Sequence, residues 1–153
     1  MRADDDDAAR RYRLDPTLDF MRLLWSIEHA LQKKSKRMKA EAGITGPQRL
    51  VLRIVSRYPG ISAGDLARLI RLHPSTVTGI LQRLVGARLL SRGRDPADNR
   101  RVSLWTTTRA ARHTRPSSGT VESTVRTVLQ RASRSELSGA RVLLAELARR
   151  LNE

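Results

Sequence analysis

Cysteine is absent from the 153 residues, and the aromatic residues number two tryptophans, two tyrosines and one phenylalanine. The missing thiols exclude disulfides, thiolate metal sites and a thiol redox switch, and they suit a reducing compartment. With aromatics at 3% and hydrophobic residues at 39%, the core must be built mainly from Leu, Val, Ile and Ala, as in helical proteins. No window approaches 18 uncharged apolar residues, so no membrane span is expected. Nor does an apolar stretch of signal-peptide length follow Met1. The chain is expected to be cytosolic.

Acidic residues are also scarce, 15 against 30 Lys and Arg, which leaves a net charge of +15. A positive field of this size calls for a polyanionic partner, either nucleic acid or an anionic membrane face. The distribution decides between them. Four of the acids, Asp4 to Asp7, are gathered in a segment that reads as a disordered, solvated tail, residues 1–14; an arm that competes for the basic surface is the other reading. From Arg71 to Arg115 there are ten arginines against two aspartates and no lysine. Arginine suits phosphate forks and groove insertion, whereas a membrane patch mixes in lysine and bulky apolar groups. Nucleic acid is therefore the better partner, with no membrane involved, and the groove-facing helix read below makes double-stranded DNA the form expected.

Capping signals divide the rest. Asp15 and Pro16 open a long first helix, where Leu18, Met21, Leu24 or Trp25, Leu31 and Met38 recur at helical spacing toward Gly43. Thr45 and Gln48 have capping-box spacing, and Leu50, Val51, Ile54, Val55 and Tyr58 form the apolar face of a second helix that Pro59 and Gly60 stop. In "ISAGDLARLIRL", Ser62 and Asp65 make a third cap, with Ile61 and Leu66 as a hydrophobic staple, and the helix ends near Leu72. His73 and Pro74 then open a fourth. Two short helices joined by a tight turn form a helix-turn-helix.

The fourth helix separates into two arcs when its residues are placed at about 100° intervals. Val77, Ile80, Leu81, Leu84 and Val85 share one arc, and Ser75, Thr76, Thr78, Gly79, Gln82 and Arg83 the other. The second arc lacks the mixed charges with which a solvent-facing helix supports itself. It offers what a major groove accepts: hydroxyls for phosphates, Gln for adenine, Arg for guanine, and Gly for close approach.

After Gly86 the period changes. Leu89 to Gly93 and Arg101 to Thr106 read as two short strands, Val102 and Leu104 on one face and Ser103 and Trp105 on the other. Between them lies the tip "RDPADNRRVSL", with Arg94, Asp98, Arg100 and Arg101. A helix-turn-helix followed by a β-ribbon is a winged helix. Its tip can reach a neighbouring minor groove, where negative potential draws an inserted arginine and Asp98 is placed to hold Arg100; an ordinary solvated hairpin is the other reading.

The run "HPSTVTGILQRLVGARLLSR" followed by "DPADNRRVSLWTT" resembles the MarR family of bacterial transcriptional regulators, whose wings carry an Asp-x-Arg signature, here Asp98 and Arg100. The resemblance implies a homodimer that binds pseudo-palindromic promoter DNA, often as a repressor released by a small, frequently phenolic ligand. The chain departs from the family where Thr106, Thr107, Thr108, Arg109 and Ala110 replace a Leu-Thr-x-x-Gly junction. It departs again at "RPSSGT", where Pro116 and Gly119 fall inside what should be a linker helix. Proline there costs about 3 kcal/mol, so a kink or break is expected between Arg115 and Thr120.

The last helix supports a dimer on its own pattern. Ser133 and Glu136 form a capping box, and Leu137, Ala140, Leu144, Leu147 and Leu151 follow as a seam that needs a partner, either the first helix of the same chain or a second copy. The expected fold is mainly α with a small β wing: a dimerisation helix over 15–43, a DNA-binding lobe over 44–107, and a linker helix with a second dimerisation helix over 108–153. The three histidines, His29, His73 and His113, share no metal-ligand spacing. No phosphate loop or serine elbow occurs, so neither an enzyme, a cofactor nor a metal site is expected. His73 is read as the cap of the fourth helix. Trp25 and His29, one turn apart, fit core packing, a dimer contact or a ligand pocket. The other functional class is a winged-helix architectural or protein-interaction module without operator specificity.

Overall fold

Asp15 starts the long helix that its spacing requires, its carboxylate accepting from the backbone N–H groups of Thr17 at 2.8 Å and Leu18 at 3.1 Å. The computed structural model describes residues 12–94 and 102–153. The calls on Asp98, Arg100 and Arg101, and on most of the acidic N-terminal segment, fall outside the described residues. Contacts divide the chain into two compact units, one ending at Arg115 and one spanning Pro116–Glu153.

In the first unit, α1 (Pro16–Ala42) ends at Gly43, whose φ of 76° is the left-handed turn that glycine adopts without strain. Of its residues only Met38 is buried. The second helix, α2 (Gly46–Arg57), has the expected capping box between Thr45 and Gln48. Its buried side differs from the expected one. Val51, Leu52 and Val55 enter the core, while Leu50 is 51% exposed and Tyr58 points out as the non-helical cap residue. Burial of Gln48, Val51, Leu52 and Val55 centres the inner arc so that Leu50 lies roughly 150° away from it. Leu52, absent from the expected face, is fully buried.

A short strand, β1 (Ile61–Ser62), runs directly into α3 (Ala63–Ile70). Ser62 caps α3 by accepting from the Asp65 N–H at 3.0 Å, and its hydroxyl donates to the Asp65 carboxylate at 2.6 Å. The helix stops two residues short of Leu72 because Arg71 takes a left-handed conformation, φ 53°. After the turn comes α4 (Pro74–Gly86), then β2 (Leu90–Arg94) and β3 (Val102–Thr106). The sheet order is β1-β3-β2, all antiparallel, with Ile61 opposite Leu104, Ser91 opposite Trp105 and Gly93 opposite Ser103. The hairpin stem is the expected wing; the third strand was not expected, because two residues are too few to carry a period. Leu104 faces the core and is fully buried, whereas Val102, of the same parity, is exposed beside Arg94 at the outer end of the stem.

Val51, Leu52, Leu66, Leu81, Leu84 and Leu104 form the centre of the core, joined by Leu89 and Leu90 at the base of the wing. The six central residues come from the apolar faces of α2, α3, α4 and β3, and each burial contributes about 1.5–3 kcal/mol. A 3₁₀ turn (Thr108–Ala110) and the one-turn α5 (Ala111–Thr114) close the unit. Arg115 is extended, with φ −75° and ψ 149°, and no helix resumes until Val121, so the break expected between Arg115 and Thr120 is present.

The second unit holds α6 (Val121–Leu129) and α7 (Arg134–Arg150). Thr120 with Ser123 and Ser133 with Glu136 form capping boxes at their starts. The Glu136 carboxyl is held below its ordinary range by the Ser133 backbone and hydroxyl hydrogen bonds. Along α7, Arg149 and Arg150 pair with Glu146. The seam residue Leu144 remains 48% exposed within the chain.

Candidate nucleic-acid interface

The α4 surface follows from its cap and its two arcs. His73 precedes Pro74, whose missing N–H does no harm at a helix start. The His73 Nδ1 accepts from the Ser75 N–H at 3.3 Å and lies 2.7 Å from the Ser75 hydroxyl. An Nδ1 engaged as acceptor leaves the ring proton on Nε2, a donor at the start of the helix. Val77, Ile80, Leu81 and Leu84 are buried, which fixes the rotation of α4 and leaves Ser75, Thr76, Thr78, Gln82 and Arg83 exposed. A β-carbon placed on Gly79 would meet nothing within 4 Å, so the outer arc is open at its middle.

Those five residues and His73 are thus brought together on one helix. Arg94 belongs to another element, the end of β2, where it is exposed, as is Arg92. Strand β2 packs against α4 through the core, so the arginine-bearing stem flanks the helix. Asp98, Arg100 and Arg101 lie outside the described residues. Between α3 and α4 is an open cleft of about 500 Å³, lined by Ala67, Arg68, Arg71, Leu72, Pro74 and Val77 among others. Arg68 is ion-paired with Asp65.

Sequence reasoning did not find a second basic cluster. Arg49 donates to the Arg115 carbonyl and Arg53 to the Thr114 carbonyl, both at 2.6 Å, so two guanidinium groups from α2 hold the end of α5. His113 is buried beside them and accepts from Arg112 Nε–H through Nε2 at 3.0 Å. Burial, then the charges of Arg112 and Arg49, push its pKa below the ordinary imidazole value. The one sequence signal was the four-residue spacing of Arg49 and Arg53 on one helix face. On α1, Trp25 is 59% exposed and His29 is exposed, so their own unit does not pack this pair as core.

Among the described residues no helix is long and apolar enough to cross a membrane. Residues 44–102 match the model of the MarR family. The chain is 31% identical over 94 residues to the HTH-type transcriptional regulator TtmR of Methylorubrum extorquens (strain PA1), a match covering 61% of this chain and 47% of the relative. The matched region therefore spans about half the length of that relative. Among solved structures, the fold is similar to the S. aureus MepR–DNA complex (TM-score 0.68, 21% identity, 86% of this chain and 97% of that one). It is also similar to the Streptomyces coelicolor regulator PcaV in complex with its natural ligand (TM-score 0.69, 24% identity, 88% and 95%). The helix-turn-helix and the wing stem fall within the matched segment, and over residues 44–102 the chain is similar to the MarR family.

Proposed function

We propose that this protein is a sequence-specific, DNA-binding transcriptional regulator that acts as a homodimer on a pseudo-palindromic promoter site. The observation that carries the reading is the exposed arc of α4, in which Ser75, Thr76, Thr78, Gln82 and Arg83 stand together without an acidic residue. In this reading α4 enters the major groove, with Gln82 and Arg83 on base edges and the hydroxyls and His73 on phosphates. Arg94, Arg100 and Arg101 of the wing serve the adjacent minor groove, and Asp98 steadies Arg100. The solved MepR structure contains DNA and the PcaV structure its natural ligand, which supports a duplex as the target and a small molecule as the releasing signal; that this molecule is phenolic is what the family resemblance implies. Repression relieved by that ligand is the mode proposed, in the cytoplasm and without catalysis. Residues 44–107 form the DNA lobe, and 15–43 with 108–153 join the protomers.

The test is competition between duplex selected from the promoter region of the protein's own gene and random duplex, repeated over a range of salt. The selected duplex should win, and log affinity should fall with log salt by about 0.9 per phosphate neutralised. A slope near zero excludes the proposed mode. Equal affinity for both duplexes, with a steep slope, would instead make this a winged-helix module without operator specificity.

A further inference from the structure

The face of the sheet opposite Leu104 holds a contact that the DNA reading does not use. By register, Ser91, Gly93, Ser103 and Trp105 share that face, and Trp105 lies diagonally across from Gly93. A β-carbon placed on Gly93 would stand 2.8 Å from Trp105 Cζ3 and 3.4 Å from Cη2, so the indole lies directly on the glycine backbone. The other edge of the same ring meets Gly60, whose hypothetical β-carbon would be 3.8 Å from Cζ2 and from Nε1. Gly60 has φ 85°, and its N–H donates to the Leu104 carbonyl at 2.8 Å. One rigid ring on β3 therefore spans from the residue before β1 to β2, with glycine under both edges.

We propose that Trp105, seated on Gly93 and Gly60, is a positioning residue that sets the direction in which the wing leaves the sheet. Filling the core is not its role, because it is only half-buried and lies on the face away from Leu104. Glycine inside a strand weakens it, and its presence marks the close approach of another group. Here that group is the Trp105 indole, and the glycine it covers stands one residue before Arg94, the last residue of β2. A two-stranded ribbon twists easily, so a ring braced against both neighbours of β3 holds the twist at the base of the wing. A change at Gly93 then alters where Arg94, the next residue, is presented. The inference rests on the proposed DNA function, and the test keeps the two apart.

Gly93→Ala, Trp105→Leu and the double variant are compared with wild type by selection of bound duplexes from a randomised pool and by affinity for the wild-type choice. Each single variant should lose preference at the bases flanking the half-sites and bind roughly three- to tenfold more weakly, the worth of one aromatic contact. Selection at the base pairs read by α4 should be unchanged. The double variant should be no weaker than the weaker single, because both substitutions remove the same contact. Retained flank selection in a folded Gly93→Ala protein, or losses that add in the double variant, would overturn the proposal. Should Gly93→Ala fail to fold, Trp105→Leu decides alone: kept flank selection overturns the role. A wild type that selects no sequence at all sinks the DNA reading itself, and this inference with it.

Discussion

Gln82 and Arg83 are neighbours on the exposed side of α4, and under the proposed function their different chemistry suits different bases. An amide pairs bidentately with adenine and a guanidinium with guanine. Replacing either with Ala should relax selection at one or two base pairs per half-site, by roughly 1 to 3 kcal/mol of discrimination. Sequencing of the duplexes that each variant selects reads this directly, and an unchanged consensus would remove α4 from the groove. His113 makes a prediction of another kind. Its pKa is lowered in the folded chain by burial and by Arg112 and Arg49. Above about pH 6.5 the ring is neutral in both folded and unfolded chains, and its effect on stability is flat. As pH falls through that value the unfolded chain takes up a proton that the folded one resists, so stability is lost on acidification. The thermal midpoint should fall below about pH 6.5 in wild type and fall less in His113→Asn.

Helix α4 depends on its cap, and the proposed function places that same side chain on a DNA phosphate. His73→Ala removes the acceptor for the Ser75 N–H and should cost about 0.5–2 kcal/mol in denaturant unfolding. A loss well below that range would show that water replaces the imidazole. Caps of this sort were legible in the sequence because each is decided within four residues: Asp15, Thr45, Ser62, His73 and Ser133 all begin helices where their spacing places them. The α4 arcs were legible for the same reason. Other features depend on partners far along the chain. Strand β1 exists because Ile61 meets Leu104, and nothing in two residues announces that pairing. The Arg49 and Arg53 bonds to α5 close separations of 66 and 61 residues. Leu50 was taken for core in place of Leu52 because helical spacing defines an apolar arc but not where a neighbouring element centres it.

At the scale of the molecule, both long helices carry apolar side chains that their own unit leaves uncovered, among them Leu18, Trp25 and Leu31 on α1 and Leu143, Leu144 and Leu151 on or just after α7. A second copy of the chain is the proposed cover. Leu144→Asp would place an unpaired charge in that seam and weaken association by several kcal/mol, on the order of the cost of burying one ion. Sedimentation at matched concentration should show monomer; a variant that stays dimeric with unchanged stability shows that Leu144 is outside the seam.

The exposed basic groups on α4 and β2 are Arg83, Arg92 and Arg94, while all four lysines of the chain, Lys33, Lys34, Lys36 and Lys39, lie on α1. Acyl donors neutralise ammonium groups and leave guanidinium groups charged. The surface assigned to DNA is therefore insulated from the cell's acetylation chemistry. What that chemistry can reach is the far end of α1, where Lys39 Nζ donates to the Gly43 carbonyl and holds the last turn in place.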